Sequence, residues 1–235
     1  MATKTKAIVI AGGMGNRFSG HYIPKQFVEI NSKPILAFTL ETMQSIRQIS
    51  EIVMVINKNY EMLYEDIIRT YKIDRVRSVY GGDTRQESIF NGLNAITDTD
   101  YVLVQNAVCP LTSPELIKAV LDTSIETDQA ASAYIEVIDT IAKAHDNVID
   151  EYLAKSSLVK LQAPQAFPYK LIKQCHEQAI ADDLLNVTND ADLITRYGHK
   201  MHLVRGDFNN IKVTTTEDWL LAKVILGKEI KNWKA

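Results

Sequence analysis

The sequence predicts an α/β protein built on a Rossmann-like, mostly parallel sheet that is covered by helices on both faces. Short apolar runs alternate along the chain with segments of helical periodicity, and the run over residues 7–11 is continuously apolar. Such runs are typical of parallel strands that are buried on both faces and joined by βαβ crossovers. With 235 residues and no break in composition, the chain is expected to form one domain over residues 1–235.

The predicted elements follow in order along the chain. Strands are expected where β-branched and aliphatic residues form short runs, at residues 6–11, 51–56, 76–80, 101–105, 131–137 and 200–204. Helices are expected at residues 34–46, 59–71, 84–96, 113–126, 168–181, 189–197 and 216–226. Two helix starts carry capping signals, because Pro114 occupies a first helical position and Glu217 and Asp218 lie in a first turn.

Residues 138–163 interrupt this alternation. An apolar segment is followed there by the polar stretch His145-Asp146-Asn147 and then by a second, shorter apolar segment around Tyr152. The interruption predicts an excursion from the domain in the form of a protruding β-arm.

Charge and cysteine content exclude several classes of protein. The chain carries a net charge of −3, so no strong overall field attracts nucleic acid or a membrane surface. Its two cysteines, Cys109 and Cys175, give no disulfide framework and fit a reducing compartment. The apolar run near the amino terminus is too short for a signal core or a membrane span. We therefore expect a cytoplasmic protein with no nucleic-acid or membrane partner.

The first predicted strand ends in a glycine-rich loop over residues 12–15, and two cations follow it, at Arg17 and Lys25. Glycines permit a close approach of the backbone to a ligand, and cations suit a polyphosphate. A Walker loop would need Gly-Lys-Ser/Thr at its end, and a dinucleotide fingerprint would need glycine at position 18, which is Phe18. The alternative is a structural glycine turn with two solvated cations.

Two further segments carry candidate binding residues. Residues 81–88 form a Gly-Gly turn that leads into a helix, and the segment holds Asp83 and Ser88. Backbone amides at a helix start bind polar ligands, although an ordinary capped helix has the same pattern. Residues 210–214 place Lys212 between β-branched residues ahead of the last helix, a position that a solvated lysine also suits.

Taken together, these motifs resemble those of the cytidylyltransferases of the IspD and TarI type over essentially the whole chain. They are, in order, Gly-Gly-x-Gly-x-Arg, Pro-Lys-Gln, Gly-Gly-Asp-x-Arg-x-x-Ser, Asp-Thr, Ala-Pro-Gln-Ala-Phe and Asn-Ile-Lys-Val-Thr. This family includes methylerythritol-phosphate and ribitol-5-phosphate cytidylyltransferases. The resemblance implies a nucleotidyltransferase domain, CTP as donor, a divalent cation such as Mg²⁺, and release of pyrophosphate. It also implies a homodimer that exchanges β-arms, with the dimerisation arm at about residues 138–163.

The resemblance further implies roles for individual residues. Three cations would hold the triphosphate and stabilise the α-phosphate during catalysis: Arg17, Lys25 and Lys212. The nucleotide would be bound by Ala11, Gly12, Gly13, Gly15, Asn16, Gly82, Asp83 and Ser88. The acceptor would be bound by Asn106, Cys109, Thr140 and Lys155, with Asn106 also at the metal. Lys155 falls where the family usually has an arginine that reaches across the dimer, and Arg85 would support the nucleotide loop.

The loop after the fourth predicted strand departs from the family pattern. The family usually reads Asp-Ala-x-Arg-Pro there, whereas this chain has Asn106 and Cys109. An amide oxygen can ligate Mg²⁺ without adding charge, and cysteine cannot replace a bidentate guanidinium. The loss of such a phosphate contact costs about 1.5–3 kcal/mol. Three interpretations remain open: a different acceptor, a slow or inactive nucleotide-binding protein, or a loop that has been altered deliberately.

Two other segments of the chain predict which acceptor is used. Residues 135–141 and 24–31 look closer to the ribitol-phosphate branch of the family than to the isoprenoid branch. This likeness favours a phosphorylated polyol or sugar similar to ribitol 5-phosphate, destined for teichoic acid or capsule. The alternatives are 2-C-methyl-D-erythritol 4-phosphate in isoprenoid synthesis, or a catalytically weak CTP-binding protein.

Overall fold

A computed structural model describes residues 3–13 and 23–227 of the chain. Three positions of the predicted nucleotide site, Gly15, Asn16 and Arg17, lie outside these residues. The strands are β1 (Thr5–Ile10), β2 (Glu29–Ile30), β3 (Lys33–Pro34), β4 (Ile49–Ile56), β5 (Val76–Tyr80), β6 (Tyr101–Asn106), β7 (Ala130–Glu136), β8 (Ala142–His145), β9 (Val148–Tyr152), β10 (Val159–Pro168) and β11 (Met201–Arg205). The helices are α1 (Ile35–Ser45), α2 (Glu61–Thr70), α3 (Arg85–Ala95), α4 (Pro114–Thr127), α5 (Tyr169–Ala181), α6 (Asp190–Arg196) and α7 (Thr216–Gly227).

Seven of the strands form one sheet with the order β11-β7-β10-β6-β1-β4-β5. Strand β1 pairs in parallel with β4 and β6, β4 pairs in parallel with β5, and β11 pairs in parallel with β7. Only β10 runs against its neighbours in this sheet, between β6 and β7. The prediction of a mostly parallel, Rossmann-like sheet is therefore confirmed.

Helices cover both faces of the sheet, as predicted. Side chains of α1, α2 and α4 pack on one face with the buried residues Leu40, Tyr64 and Ile117. Side chains of α3, α5 and α6 pack on the other face, where Leu93 and Ile172 are buried. None of the helices in the part of the chain that the structure describes is long and apolar enough to cross a membrane.

Helix α3 lies unusually close to the sheet at Gly92. A Cβ atom at this position would lie 3.0 Å from a methyl group of Val55 and 3.1 Å from one of Ile8, on strands β4 and β1. Glycine therefore permits the close packing of α3 on these two strands. This packing fixes the start of α3 beside the carboxyl ends of β1 and β4.

The sequence did not predict β10 as a strand of the central sheet. Its first residues, 159–163, were expected to belong to the arm, but residues 159–162 pair with β7. The strand contains Pro164 and Pro168 together with polar glutamines, a composition that argues against a central strand. It is accommodated because the pairing with β7 shifts register between Gln162 and Gln165. The buried Gln165 side chain also donates to the Ser132 hydroxyl at 3.0 Å.

A protruding β-arm is present, as predicted, and consists of the hairpin β8–β9. These strands form a separate two-stranded antiparallel sheet. Asp146 and Asn147 connect them, with φ angles of 49° and 62°. Two successive residues with positive φ are typical of a type I′ hairpin turn, which asparagine and aspartate tolerate well.

Candidate active site

Two adjoining cavities open at one edge of the central sheet. The glycine-loop cavity, of about 440 Å³, is lined mainly by predicted site residues: Ala11, Gly12, Gly13, Lys25, Gly82, Asp83, Ser88, Asn106 and Lys212. The β10 cavity, of about 540 Å³, includes Cys109 and side chains from the start and middle of β10. Arg85, Asn106 and Lys212 line both cavities, so the two spaces form one crevice.

The direction of the strands explains this clustering. Strands β1, β4, β5 and β6 end at the same edge, and the loops that follow them bring their residues to the crevice. Because β10 is antiparallel, its amino-terminal part reaches this same edge and contributes Lys160, Gln162 and Gln165 to the cavity wall.

The start of the glycine loop is held by side chains from two other segments. The carbonyl oxygen of Ala11 accepts hydrogen bonds from the Gln26 amide and the Tyr64 hydroxyl, each at 2.6 Å. Gln26 also donates to the Tyr64 hydroxyl oxygen at 2.9 Å, and burial raises the pKa of that phenol. Gln26 belongs to the short 3₁₀ helix Lys25–Phe27, so these bonds also hold Lys25 beside the loop.

The loop over residues 81–88 is an ordered helix start. The backbone N–H of Gly82 donates to the Ser88 hydroxyl at 3.1 Å, and that of Asp83 donates to the Glu87 carboxylate at 2.8 Å. A Cβ atom at Gly82 would lie 2.1 Å from the Glu87 side chain, so a larger residue there would displace this carboxylate from its bond to Asp83 N. Thr84 caps α3 by accepting from the N–H of Glu87 at 3.0 Å. The capped helix and the cavity wall are thus the same structure.

A buried chain of polar groups joins three segments behind Asn106. The Gln105 amide donates to the Thr112 hydroxyl at 2.9 Å, which donates to Asn210 Oδ1 at 2.7 Å. Asn210 in turn donates to the carbonyl oxygen of Ala163 on β10 at 2.7 Å. These bonds hold the segment before Lys212 against the loop after β6 and against β10.

Cys109 lies in the wall of the β10 cavity and is 3% exposed. Burial raises the pKa of its thiol to about 12, although the charges of Lys212 and Lys25 act in the opposite direction. The thiol is therefore neutral at physiological pH and does not act as a thiolate nucleophile. This agrees with the absence of a neighbouring base in the sequence around it.

Thr140 and Lys155 do not line either cavity within the described chain. Both are exposed in the segment that carries the arm. The Lys155 ammonium group donates to the backbone carbonyl oxygen of Ile138 at 3.0 Å. Within a single copy of the chain, these two predicted acceptor residues therefore lie outside the cavities that the other described site residues line.

The described residues contain no group of three or more His, Cys, Asp or Glu side chains that could hold a metal ion. The glycine-loop cavity is nevertheless lined by Asn106 and Asp83, whose side-chain oxygen atoms can ligate a metal ion. Oxygen ligands suit Mg²⁺, which commonly takes one or two protein ligands and completes its shell with substrate phosphates and water. These two side chains therefore fit a Mg²⁺ ion whose remaining ligands are phosphate oxygens of a bound substrate and water.

Two groups of cavity residues were not predicted as site residues. Lys160 and Gln162 fall in the segment that was expected to form the arm, and Gln165 lies in the Ala-Pro-Gln-Ala-Phe motif, to which no binding role was given. Thr188 and Asn189 lie just before α6 and gave no signal beyond the predicted helix start at 189.

Comparison with known proteins identifies the family. The profile described as "IspD: 2-C-methyl-D-erythritol 4-phosphate cytidylyltransferase" matches residues 5–228. The chain belongs to this family. The recognition of an IspD-type cytidylyltransferase from the sequence motifs is confirmed, and with it the class of enzyme, a CTP-dependent nucleotidyltransferase.

Individual members of the IspD family resemble this chain over nearly its full length. A 2-C-methyl-D-erythritol 4-phosphate cytidylyltransferase of Clostridium novyi (strain NT) is 36% identical over 228 residues, which are 95% of this chain and 97% of that protein. One of Geobacillus kaustophilus (strain HTA426) is 33% identical over 226 residues, with 96% and 98% covered. The crystal structure of 4-diphosphocytidyl-2C-methyl-D-erythritol synthase from Anaerococcus prevotii superposes with a TM-score of 0.84 at 30% identity, covering 96% of this chain and 99% of that one.

The names of these IspD-family relatives bear on the predicted acceptor. They name the alternative acceptor, 2-C-methyl-D-erythritol 4-phosphate, and not ribitol 5-phosphate. The comparisons therefore favour the alternative over the main prediction. They give no support to the expected link with teichoic acid or capsule.

Proposed function

We propose that this cytidylyltransferase transfers CMP from CTP to 2-C-methyl-D-erythritol 4-phosphate and releases pyrophosphate. One observation carries the proposal: the start of the glycine loop, Lys25, the 81–88 loop and Lys212 line one cavity. The chain that forms this cavity matches a relative with this named activity over 95% of its length. The adjoining β10 cavity gives space for the acceptor beside the nucleotide.

The reaction is an in-line displacement at phosphorus. An oxygen of the acceptor phosphate attacks the α-phosphorus of CTP, a new P–O bond forms, and the bond to the bridging oxygen of the β-phosphate breaks. Such chemistry depends on positioning and on cations around the developing charge. Lys25 and Lys212 line the cavity that would hold the triphosphate, and Arg17 would join them from outside the described residues.

CTP would occupy the glycine-loop cavity. Residues 11–13, with Gly15 and Asn16, would approach the phosphates, and Gly82, Asp83 and Ser88 would surround the base and ribose. Asn106, with phosphate oxygens of CTP, would hold Mg²⁺, which supplies positive charge against the transferred phosphate. Because position 106 holds a neutral amide where the family usually has a carboxylate, we predict weak metal binding in the absence of nucleotide.

The acceptor would occupy the β10 cavity. Its wall includes the amide of Asn106, which suits a hydroxyl group, and the cation of Lys160. The side-chain amides of Gln162, Gln165 and Asn210 also line this cavity, where each already donates a hydrogen bond to another group of the chain. Cys109 adds no charge there. Because Thr140 and Lys155 lie away from this cavity, we propose that they reach the acceptor of a partner subunit in a homodimer.

The exposed surface of the arm supports the proposed dimer. Four apolar side chains on or beside the hairpin are more than half exposed: Ile138 at 67%, Val148 at 64%, Ile149 at 53% and Tyr152 at 67%. Apolar side chains grouped on a protruding hairpin are typical of a surface that is buried on association. A second copy of the chain would cover them while the arm delivers Lys155.

A second acceptor, ribitol 5-phosphate or a similar polyol phosphate, is favoured by one observation. Cys109 is a neutral, buried side chain at the acceptor cavity where a guanidinium is usual in the family. The change removes a phosphate contact and leaves room for an acceptor of different length.

Pyrophosphate release from CTP and Mg²⁺ across a panel of acceptors tests these proposals. The panel contains 2-C-methyl-D-erythritol 4-phosphate, ribitol 5-phosphate, other alditol phosphates and glycerol 3-phosphate, with ATP and UTP as donor controls. Fastest turnover with 2-C-methyl-D-erythritol 4-phosphate is expected. Faster turnover with ribitol 5-phosphate would replace the first proposal by the second. Silence across the panel while CTP still binds would indicate a catalytically weak nucleotide-binding protein.

A further inference from the structure

We propose that His176 is a positioning residue of this enzyme: acting through Asp190, it holds Arg85 at the boundary of the glycine-loop and β10 cavities. The inference rests on the proposed function only in assigning nucleotide and acceptor to these cavities. His176 itself lines neither cavity.

The three side chains form one continuous chain of contacts. Arg85 Nη2 donates to Asp190 Oδ2 at 2.7 Å, and His176 Nε2 lies 3.0 Å from Asp190 Oδ1. Asp190 and His176 are each 1% exposed. Each oxygen of the carboxylate thus faces a different nitrogen partner, which fixes the orientation of Asp190.

The location of the proton on His176 follows from Asp190. Burial raises the pKa of that carboxyl, but the hydrogen bond from His176 and the charge of Arg85 outweigh it and hold the pKa below 3.8. An ionised carboxylate only accepts hydrogen bonds, so His176 Nε2 carries the hydrogen and donates it. The other nitrogen, Nδ1, is buried and has no hydrogen-bond partner among the residues that the structure describes.

Packing fixes the imidazole ring in this orientation. The Phe90 ring of α3 stacks on it, with 6.2 Å between ring centroids and 11° between planes. The ring therefore has one polar contact, to Asp190, and one apolar face held by the helix that carries Arg85.

The arrangement joins the walls of the two cavities. Asp190 directly follows Thr188 and Asn189, which line the β10 cavity. Arg85 is the first residue of α3 and belongs to the 81–88 loop. Next to Arg85, the buried Gln86 side chain donates to Leu184 O at 2.7 Å and accepts from Val187 N at 2.9 Å. The segment over residues 184–190 is thus bonded to the first turn of α3 through two successive residues, Arg85 and Gln86.

Loss of the His176 donor would leave one oxygen of a buried carboxylate without a partner. Asp190 would then turn or take up water, and Arg85 would lose its fixed direction at the cavity boundary. Binding of both substrates would weaken, because residues that orient a ligand act on its affinity and geometry. The cations around the α-phosphate would be unaffected.

Two polar variants of His176 separate positioning from simple packing. His176→Gln places an amide N–H close to the position of Nε2 and keeps the bond to Asp190. His176→Asn places its amide nearer to Nδ1, too short to reach Asp190. We expect His176→Asn to raise the Kd for CTP and the KM for the acceptor about fivefold to thirtyfold, and His176→Gln to stay within about threefold of the unmodified protein. The variant His199→Gln, at an exposed position, serves as control.

Two results would overturn the proposal. One is equal kinetics for the unmodified protein, His176→Asn and His176→Gln. The other is an equal loss of binding in both His176 variants that follows a fall in their Tm. In an Arg85→Gln background, His176→Asn should add no further change in Kd, because its effect passes through Arg85. Calorimetric binding of CTP keeps the inference testable if no acceptor in the panel is turned over, so its failure is distinct from failure of the proposed function.

Discussion

At the residue scale, Lys25 and Lys212 reach the same cavity from segments that are far apart in the chain. Lys25 is held by the 3₁₀ helix that Gln26 bonds to the glycine loop. Lys212 is held by the pairing of Val213 N with Val108 O at 2.8 Å. Each cation is thus fixed by its neighbour in sequence, which suits preorganised stabilisation of charge.

Removing either cation should reduce turnover and leave the fold intact. Lys25→Ala and Lys212→Ala are each expected to lower kcat by about 10²–10³-fold, the range for loss of one preorganised charge-stabilising group. Arg17→Ala is expected to act in the same direction. Pyrophosphate release measures the effect, and Lys118→Ala on the exposed surface of α4 is the control. Unchanged kcat in all of the site variants would rule out the proposed triphosphate site.

Asn106 is the proposed metal ligand and is expected to set the Mg²⁺ dependence of turnover. Asn106→Asp adds a carboxylate to the glycine-loop cavity and should lower the Mg²⁺ concentration at half-maximal activity, because Mg²⁺ prefers charged oxygen ligands. A Mg²⁺ titration of turnover measures the shift, with Asn147→Asp in the arm turn as control. An identical titration curve for Asn106→Asp would mean that position 106 does not face the metal.

Asp190 makes stability depend on pH in the acid range. Its pKa is lowered in the folded protein from an ordinary value of 3.8, so its contribution is fully present above that value. As pH falls through the lower folded pKa, the carboxylate takes up a proton and the contribution is lost.

Asp190→Asn should therefore reduce the free energy of unfolding at neutral pH by about 2 kcal/mol, the scale of hydrogen bonds to a charged group. The difference from the unmodified protein should shrink as pH falls below 3.8. Urea unfolding over a pH series measures it, with Asp150→Asn on the arm as control. A difference that stays constant down to low pH would contradict the ionised carboxylate.

At the element scale, the arm and β10 divide one segment between two tasks. The arm carries exposed apolar side chains away from the domain, whereas β10 returns through the centre of the sheet and supplies one wall of the crevice. A single register shift beside Pro164 lets this strand pair on both sides despite its two prolines.

Deletion of residues 141–154 is expected to convert the proposed homodimer into monomers. It should also lower turnover by more than it weakens CTP binding, because Lys155 of one subunit would no longer reach the acceptor of the other. Light scattering coupled to gel filtration measures the mass, and Ile149→Asp, which keeps the arm length, is a milder version. A dimer that survives the deletion would exclude the arm as the main interface.

At the scale of the whole molecule, the candidate site is built from segments that pack on both faces of the central sheet, and it lies at the carboxyl ends of the parallel strands. Lys25 lies next to Phe27, which packs with α1 and α2 on one face, and Arg85 belongs to α3 on the other. A ligand in the crevice therefore contacts segments supported by both cores. Local opening of the crevice and loss of the bound ligand are expected to be coupled.

CTP should raise the melting temperature through this coupling. At a concentration about a hundredfold above Kd, a ligand that binds only the folded state stabilises it by about 2.7 kcal/mol. For a chain of this size the gain corresponds to roughly 5–10 °C in Tm. Differential scanning fluorimetry with CTP and Mg²⁺ measures it, and Lys25→Ala should reduce the shift. An unchanged Tm at saturating CTP would argue against a nucleotide site in the crevice.

The local pattern of the sequence determined most of the fold. Continuous apolar runs mark β1, β4 and β6, and capping residues mark the starts of α4 and α7, because burial on both faces and helix capping are properties of short segments. The glycine loop and the loop over residues 106–109 follow the first and fourth predicted strands, so the sequence alone placed these two loops at one edge of the sheet. Segments whose composition contradicts their environment, above all β10, could not be predicted in this way.

Tertiary structure decided which distant residues share the crevice. Arg85 and Asp190 are 105 positions apart and meet only because α3 and α6 pack on the same face of the sheet. Lys160 and Gln162 enter the acceptor wall only because β10 runs antiparallel to β6 and β7. The sequence by itself thus determined the family, the loops and the chemistry of the cations. Long-range packing, which no local pattern encodes, decided how the two cavities are joined and which buried groups position them.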